Sequence, residues 1–385
     1  MLFEFSDEET LIEETARRIA AERLAPLADR LDRGEGREDF LANLKLLADN
    51  GFMALAVDPA HGGTGAGAVA FALSIAALAE GCAATAVTVS VTNMVAEVIQ
   101  AVGTAEQKQT YIRRLAEGTY PAGAFCLTEA GAGSDPAGMA TQARRDGDAF
   151  VLDGTKLYIT SAEYAGLFVV WAVTDPAAPP GKGISCFLVE AGTPGLVIGK
   201  AEHKMGQTGS ATNPVSFDDC RVPASALLGP LHGGYRTAVA ELAGGRIGVA
   251  ALSLGIARAA MDAATAHVRQ RRQFGQAIAE FQGIQWMIAD RETELEAARL
   301  LILQAAHLKD RGLPYAKAAS MAKLYASEAA HRATDTAIQL FGGAGYIREQ
   351  RVERYARDAR ITRIYEGTSE IQRLIIAREI LRGNA

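Results

Sequence analysis

FVLDGTKLYIT, Phe150–Thr160, breaks with the Ala- and Leu-rich texture on either side of it. β-Branched and aromatic residues dominate, and Asp153-Gly154 within it has the composition of a tight hairpin turn. Similar runs follow at LFVVWAVT (Leu167–Thr174), ISCFLVEA (Ile184–Ala191) and PVSFDDCRVP (Pro214–Pro223), divided by Gly, Pro and Asp, with a second turn pair at Asp146-Gly147. This pattern predicts a middle antiparallel β domain over residues 120–230. Ahead of it, apolar residues recur at helical spacing in Leu11, Ala16, Ile19 and Leu24, then in Phe71, Ile75 and Leu78, predicting an N-terminal helical domain over 1–119. Behind it, Phe281–Asp310 and Tyr315–Leu340 read as long helices with short interruptions at Gly312 and Gly342, so 231–385 should be an up-and-down helical bundle. The expected fold class is mainly α with a central β domain.

With 385 residues and 49 % hydrophobics, the chain is too long for one compact domain and rich enough for several cores. Its net charge of −6 is spread among interspersed acids and bases, which gives no electrostatic footprint for nucleic acid and favours a small-molecule or protein partner. Cys82, Cys126, Cys186 and Cys220 lie far apart without CxxC spacing, and the six histidines show no ligand spacing. We therefore expect a reducing compartment, no disulfide and no metal. The N-terminus MLFEFSDEETLIEETARRIA is acidic and amphipathic, unlike a signal or transit peptide, and the longest apolar runs are broken by Gly, Glu or Arg. The expectation is a soluble, cytoplasmic protein.

Several motifs carry potential chemistry. GTGAGA, Gly63–Ala68, matches a dinucleotide-binding glycine pattern, but the Asp58-Pro59 ahead of it and the helical surroundings favour a loop between helices. In CLTEAGAGSD, Cys126–Asp135, small residues let backbone N–H groups approach an anion, and Thr128, Glu129 and Ser134 add donors and acceptors; an ordinary glycine turn has the same composition. RRQFG (Arg271–Gly275) and LFGGAGY (Leu340–Tyr346) each end a long helix, where a C-cap or a phosphate contact would use the same residues; Gln339 stands just before the second. Finally IYEGTSEIQRLIIAREIL, Ile364–Leu381, sets Glu366 in a turn before an amphipathic helix, with Ser369 and Gln372 spaced as a capping box. By itself Glu366 reads as a solvated loop carboxylate.

These segments also occur together and in order: CLTEAGAGSD, KLYITSA, KMGQTGSAT, RRQFG, LFGGAGY and RITRIYEGTSEIQRLIIAREIL. The series resembles the acyl-CoA dehydrogenase family over nearly the whole chain. That resemblance implies an N-terminal helical domain, a middle β domain and a C-terminal four-helix bundle, with FAD between the last two. It implies that Thr128 and Ser134 meet the flavin side or pyrophosphate, that Tyr158 packs near the flavin and that Thr160 lies near its N5. Arg271, Phe274, Gln339 and Gly343 would bind the adenosine and pyrophosphate end of a partner subunit's FAD, and Thr368 would also touch FAD. Ser134, Tyr235, Arg246, Tyr365 and Gly367 would surround the substrate. Glu366 becomes the base that removes the α-proton of an acyl-CoA. Its own backbone N–H and a flavin ribityl hydroxyl would stabilise the thioester oxygen, while flavin N5 takes the β-hydride. The product would be a trans-2-enoyl-CoA, within fatty acid or amino acid catabolism. The resemblance further implies a homotetramer, a dimer of dimers, reoxidised by electron-transferring flavoprotein.

Some members place the base instead just before the residue matching Arg246; here that position is Gly245, which leaves Glu366. The wording GGRIG and EGTSEIQRL is closest to short-chain and short branched-chain members. Departures from common family residues are Tyr158 for Trp or Phe, Thr208 for Arg and Ala243 for Asp. Arg291 falls on the apolar stripe Ile284, Ile288, Leu295, Ala298 and Ile302, where it needs an ion pair or a role in reading an acidic acyl group. Rival readings are a same-fold oxidase, monooxygenase or desulfinase, whose members commonly replace the Glu, and a non-catalytic helical binding protein.

Overall fold

Ser6 begins the first helix with a reciprocal cap: its hydroxyl accepts from the Glu9 N–H while the Glu9 carboxylate accepts from the Ser6 N–H. The structure, a computed structural model, describes residues 4–383; the first three residues of the acidic N-terminal stretch lie outside them. Helices α1 (Asp7–Ile19), α2 (Ala25–Asp32), α3 (Arg37–Asp49), α4 (Gly67–Gly81) and α5 (Ala83–Val102) come first, then the short α6 (Ala105–Gln107) and α7 (Arg113–Ala116). α4 and α5 are apolar on nearly every face and buried on nearly every face, so they form the centre of this layer. The GTGAGA segment is the loop entering α4. The freed N–H groups of Ala68 and Val69 are taken by the Asp310 carboxylate at 2.6 and 3.0 Å, so that helix start already holds its anion.

Eight strands follow: β1 (Gly123–Cys126), β2 (Gln142–Asp146), β3 (Ala149–Thr160), β4 (Leu167–Val173), β5 (Ile184–Glu190), β6 (Leu196–Ile198), β7 (Thr212–Pro223) and β8 (Leu227–Leu228). They form one sheet in the order β6-β7-β3-β2-β4-β5-β8, with β1 alongside β4. Pairing is mostly antiparallel, but β1 runs parallel to β4, as does β2 at Gln142–Val173. The two Asp-Gly pairs behave differently. Asp146-Gly147 turns β2 into β3, with Gly147 at φ 63°. Asp153-Gly154, expected as a hairpin turn, lies inside β3. There the register against β7 slips between Leu152–Cys220 and Gly154–Phe217, which is a bulge. Gly154 has φ 145°, and a Cβ on it would stand 2.6 Å from Thr141 Oγ1. Glycine is therefore required by the bulge and by the neighbouring strand entry.

The last layer contains α8 (Gly234–Gln270), α9 (Gln282–Asp310), α10 (Ala316–Phe341), α11 (Val352–Arg360) and α12 (Ser369–Leu381). α8 packs on α4 through glycine: a Cβ at Gly255 would lie 2.1 Å from the Ala76 carbonyl oxygen, and one at Gly248 2.4 Å from Ser90 Oγ on α5. Contacts of this closeness fuse the N-terminal helices to the bundle. Ala83–Val102 and Gly234–Gln270 are long and apolar enough to span a bilayer, yet 78 % of each apolar window is buried in protein, which makes them core helices. All four cysteines are free and buried.

Candidate active site

The turn bearing Glu366 is built against local preference. Glu366 has φ 55° and Gly367 φ 91°, so two successive residues sit in left-handed backbone, one of them a glutamate. Thr368 is the cap of α12, its hydroxyl accepting from the Ile371 N–H at 3.3 Å. The capping box expected from Ser369 and Gln372 does not form. With the cap at Thr368 the third helical position is the apolar Ile371, which has no group to reach back. Ser369 instead donates to Glu328 at 2.8 Å, and Gln372 Nε2 folds back onto the carbonyls of Glu366 at 3.2 Å and Gly367 at 2.8 Å.

Three long-range neighbours surround the carboxyl. α8 supplies Gly245 and Arg246, and α10 supplies Lys323. A Cβ on Gly245 would stand 3.1 Å from Glu366 Oε2 and 2.7 Å from Met94 Cε, so glycine is what leaves room beside the carboxylate. Glu366 Oε2 is buried and accepts no hydrogen bond. Burial pushes its pKa from 4.5 up to about 7, against the opposing pull of Arg246 and then Lys323. Arg246 is itself buried, with Nε unpartnered, and burial lowers its pKa. Beside Glu366, the Tyr365 hydroxyl accepts from Gln207 Nε2 at 3.3 Å. Gln207 in turn donates its backbone N–H to the Asp358 carboxylate, tying the KMGQTG loop to α11 and the turn. Thr208 donates to Asp32 at 3.3 Å, and Asp32 is also held by Arg357 at 2.6 Å, so the departure at 208 retains a polar contact.

A second group lies on the sheet. The Thr128 carbonyl accepts from the Leu157 N–H at 2.8 Å, which sets Thr128 beside the end of β3 with Tyr158 and Thr160. Tyr158 is 65 % exposed and has φ 58°. Glu129 is unavailable to a ligand: its carboxylate takes Lys156 Nζ at 2.7 Å and the N–H groups of Ala140 at 2.6 Å and Thr141 at 3.0 Å. Burial raises its pKa, but these donors, Lys156 first, outweigh that and hold it low. It therefore shapes the loop that carries Thr128 and the exposed Ser134.

A third group is remote in the same chain. The His267 ring stacks on Phe341, with centroids 4.1 Å apart, bringing the ends of α8 and α10 together and with them Arg271, Gln339 and Gly343. Phe274 is 93 % exposed there. Arg271 lies 25 residues along from Arg246, roughly 37 Å at helical rise, so this end is far from Glu366. Tyr235 is half-buried at the start of α8, against Gly181. Arg291 has its charge met by Glu294 at 3.4 Å on its own helix, and Glu294 also holds Arg332. Lys323 lies outside every quoted motif, while Gln207 and Gln372 stand inside two of them and take up contacts the motifs did not indicate.

The N-terminal helices and the C-terminal bundle share one core, the sheet packs beside them, and a carboxyl with a raised pKa stands at the bundle. Family models match the acyl-CoA dehydrogenase N-terminal domain over residues 6–119, middle domain over 124–220 and C-terminal domain over 232–381. The chain belongs to the acyl-CoA dehydrogenase family, and is an oxidoreductase acting on acyl-CoA with FAD as its cofactor. It is 43 % identical to acryloyl-CoA reductase (NADH) of Anaerotignum propionicum, over 99 % of this chain and 96 % of that one. It is 40 % identical to the short-chain specific acyl-CoA dehydrogenase of Clostridium acetobutylicum, over 99 % and 100 %. Butyryl-CoA dehydrogenase from Megasphaera elsdenii superposes with a TM-score of 0.95 at 38 % identity, covering 99 % of this chain and 100 % of that one. The residues here fit an FAD. Gly131, Gly133, Gly342 and Gly343 have open space where a Cβ would stand, and the Tyr158 and Phe274 rings are left uncovered for an aromatic cofactor.

Proposed function

We propose that the chain oxidises the Cα–Cβ bond of a short or short branched saturated acyl-CoA to the trans-2-enoyl-CoA, with Glu366 as the base. The observation that carries this is the Glu366 carboxyl itself: its Oε2 is buried without a hydrogen-bond partner, in a place that any side chain at position 245 would crowd. A base toward a weakly acidic C–H needs a proton affinity well above that of a solvated carboxylate, and burial supplies it. The backbone N–H of Glu366 is the donor for the thioester oxygen, and Arg246, Tyr235, Tyr365, Gly367 and Ser134 line the substrate's path. When bound, FAD supplies the acceptor for the β-hydride. Tyr158 and Thr160 would hold its flavin, Thr128 and Ser134 its flavin side or pyrophosphate, and Thr368 would also touch it. Arg271, roughly 37 Å along α8 from Arg246, with Phe274, Gln339 and Gly343, would hold the adenosine and pyrophosphate end of a neighbouring subunit's FAD in a homotetramer.

The short acyl group is supported by the short-chain specific relative and by the butyryl-CoA dehydrogenase neighbour, and Met94 packs beside Gly245 and the carboxylate. Electron-transferring flavoprotein is the oxidant this reading carries with it, in the reducing setting of the cytoplasm that four free cysteines suit. The test is Glu366→Gln, which should retain FAD while losing anaerobic flavin bleaching by acyl-CoA. Bleaching at the wild-type rate sinks the assignment. Straight, branched and dicarboxylic acyl-CoAs from C4 to C16 on the wild type then fix the acyl length.

A further inference from the structure

Lys323 lies on α10 and is fully buried, yet its Nζ donates to a backbone oxygen, that of Gly367, at 2.7 Å rather than to a carboxylate. Taking an ammonium out of water for a single neutral acceptor is costly unless a negative charge lies within reach. The acid whose charge acts on it most is Glu366, from the turn; Glu328 on its own helix and Glu370 on α12 act more weakly, and Arg246 on α8 opposes them. The same Gly367 oxygen accepts from Gln372, so two donors clamp the carbonyl that follows the left-handed Glu366. We propose that Lys323 is a positioning residue for the base: its ammonium fixes the Glu366–Gly367 turn and adds, after Arg246, a second counter-charge against which the Glu366 carboxylate ionises. Burial lowers the Lys323 pKa to about 7, so this counter-charge itself fades as pH rises through neutrality.

The inference rests on Glu366 being the base, and it makes opposite demands on two substitutions. Lys323→Met removes the charge and keeps the length, so the acidic limb of anaerobic flavin bleaching should move up by about one pH unit, a roughly tenfold slower rate at pH 6 with a smaller loss at pH 9. Lys323→Arg carries a charge that does not titrate, so the limb should move down. A tie between α10 and the turn with no electrostatic part would lower the rate equally at every pH and shift neither limb, which overturns the inference. If the Met variant does not retain FAD, the Arg variant decides alone, and an unmoved limb counts against the proposal. An active Glu366→Gln sinks the base assignment, whereas an inert Glu366→Gln with unmoved Lys323 limbs sinks only the role of Lys323.

Discussion

Replacing Glu366 by Gln should stabilise the protein at pH 8 and do so much less at pH 5. The carboxyl is held neutral by burial up to about pH 7 in the folded chain, against an ordinary value of 4.5. An unfolded chain therefore releases this proton earlier than the folded one, and between those two values the stability of the wild type falls as pH rises. Above pH 7 both states are ionised and the loss is complete. Two and a half pH units correspond to about 3 kcal/mol at pH 8, while at pH 5 the same linkage leaves under about 1 kcal/mol. Arg246 and Lys323 are already included, because their charges act on the folded-state value. An amide at 366 has no proton to release, so it lifts this penalty. In a chain of this length about 3 kcal/mol is worth roughly 4 °C in Tm. The assay is thermal unfolding of the FAD-loaded wild type and variant from pH 5 to pH 8. Any new hydrogen bond made by the amide adds a constant offset, so the informative quantity is how the difference in Tm grows with pH. A difference that stays flat across that range would refute a buried, proton-holding Glu366.

Two further outcomes follow from the packing. Lys156→Met leaves Glu129 buried with no cation, which should destabilise the chain by about 3–5 kcal/mol and loosen the loop under Thr128; the flavin-to-protein ratio after gel filtration should fall along with the denaturation midpoint. Gly255→Ala places a methyl 2.1 Å from the Ala76 backbone oxygen, which cannot rotate away, and should cost about 3 kcal/mol in urea unfolding. Gly283→Ala, in open space on α9, should be neutral or slightly stabilising and serves as its control.

What was legible in the sequence depended on whether a residue's partner lies nearby in the chain. The helical layers and the strands announced themselves through period, and Asp146-Gly147 through its turn chemistry. Asp153-Gly154 has the same composition but lies in a bulge, because the constraint on Gly154 comes from Thr141, on the strand approach next door. Glu366 was unremarkable as a loop carboxylate. Its burial is made by Gly245, Met94, Arg246 and Lys323, the first three more than 100 positions away. Arg291 and Lys323 show how such a position could be found. Both are cations on the inner stripe of a bundle helix, and stripe logic alone singles out Arg291. Arg291, however, has an acid three residues on, Glu294, which meets its charge. Lys323 is flanked at the corresponding positions by Ala319, Ser320, Ala326 and Ser327, none of which can. A buried-stripe cation with no acid at those spacings must be answered from elsewhere in the fold. That criterion is readable without a structure, and the fold supplies the answer, the turn that carries Glu366.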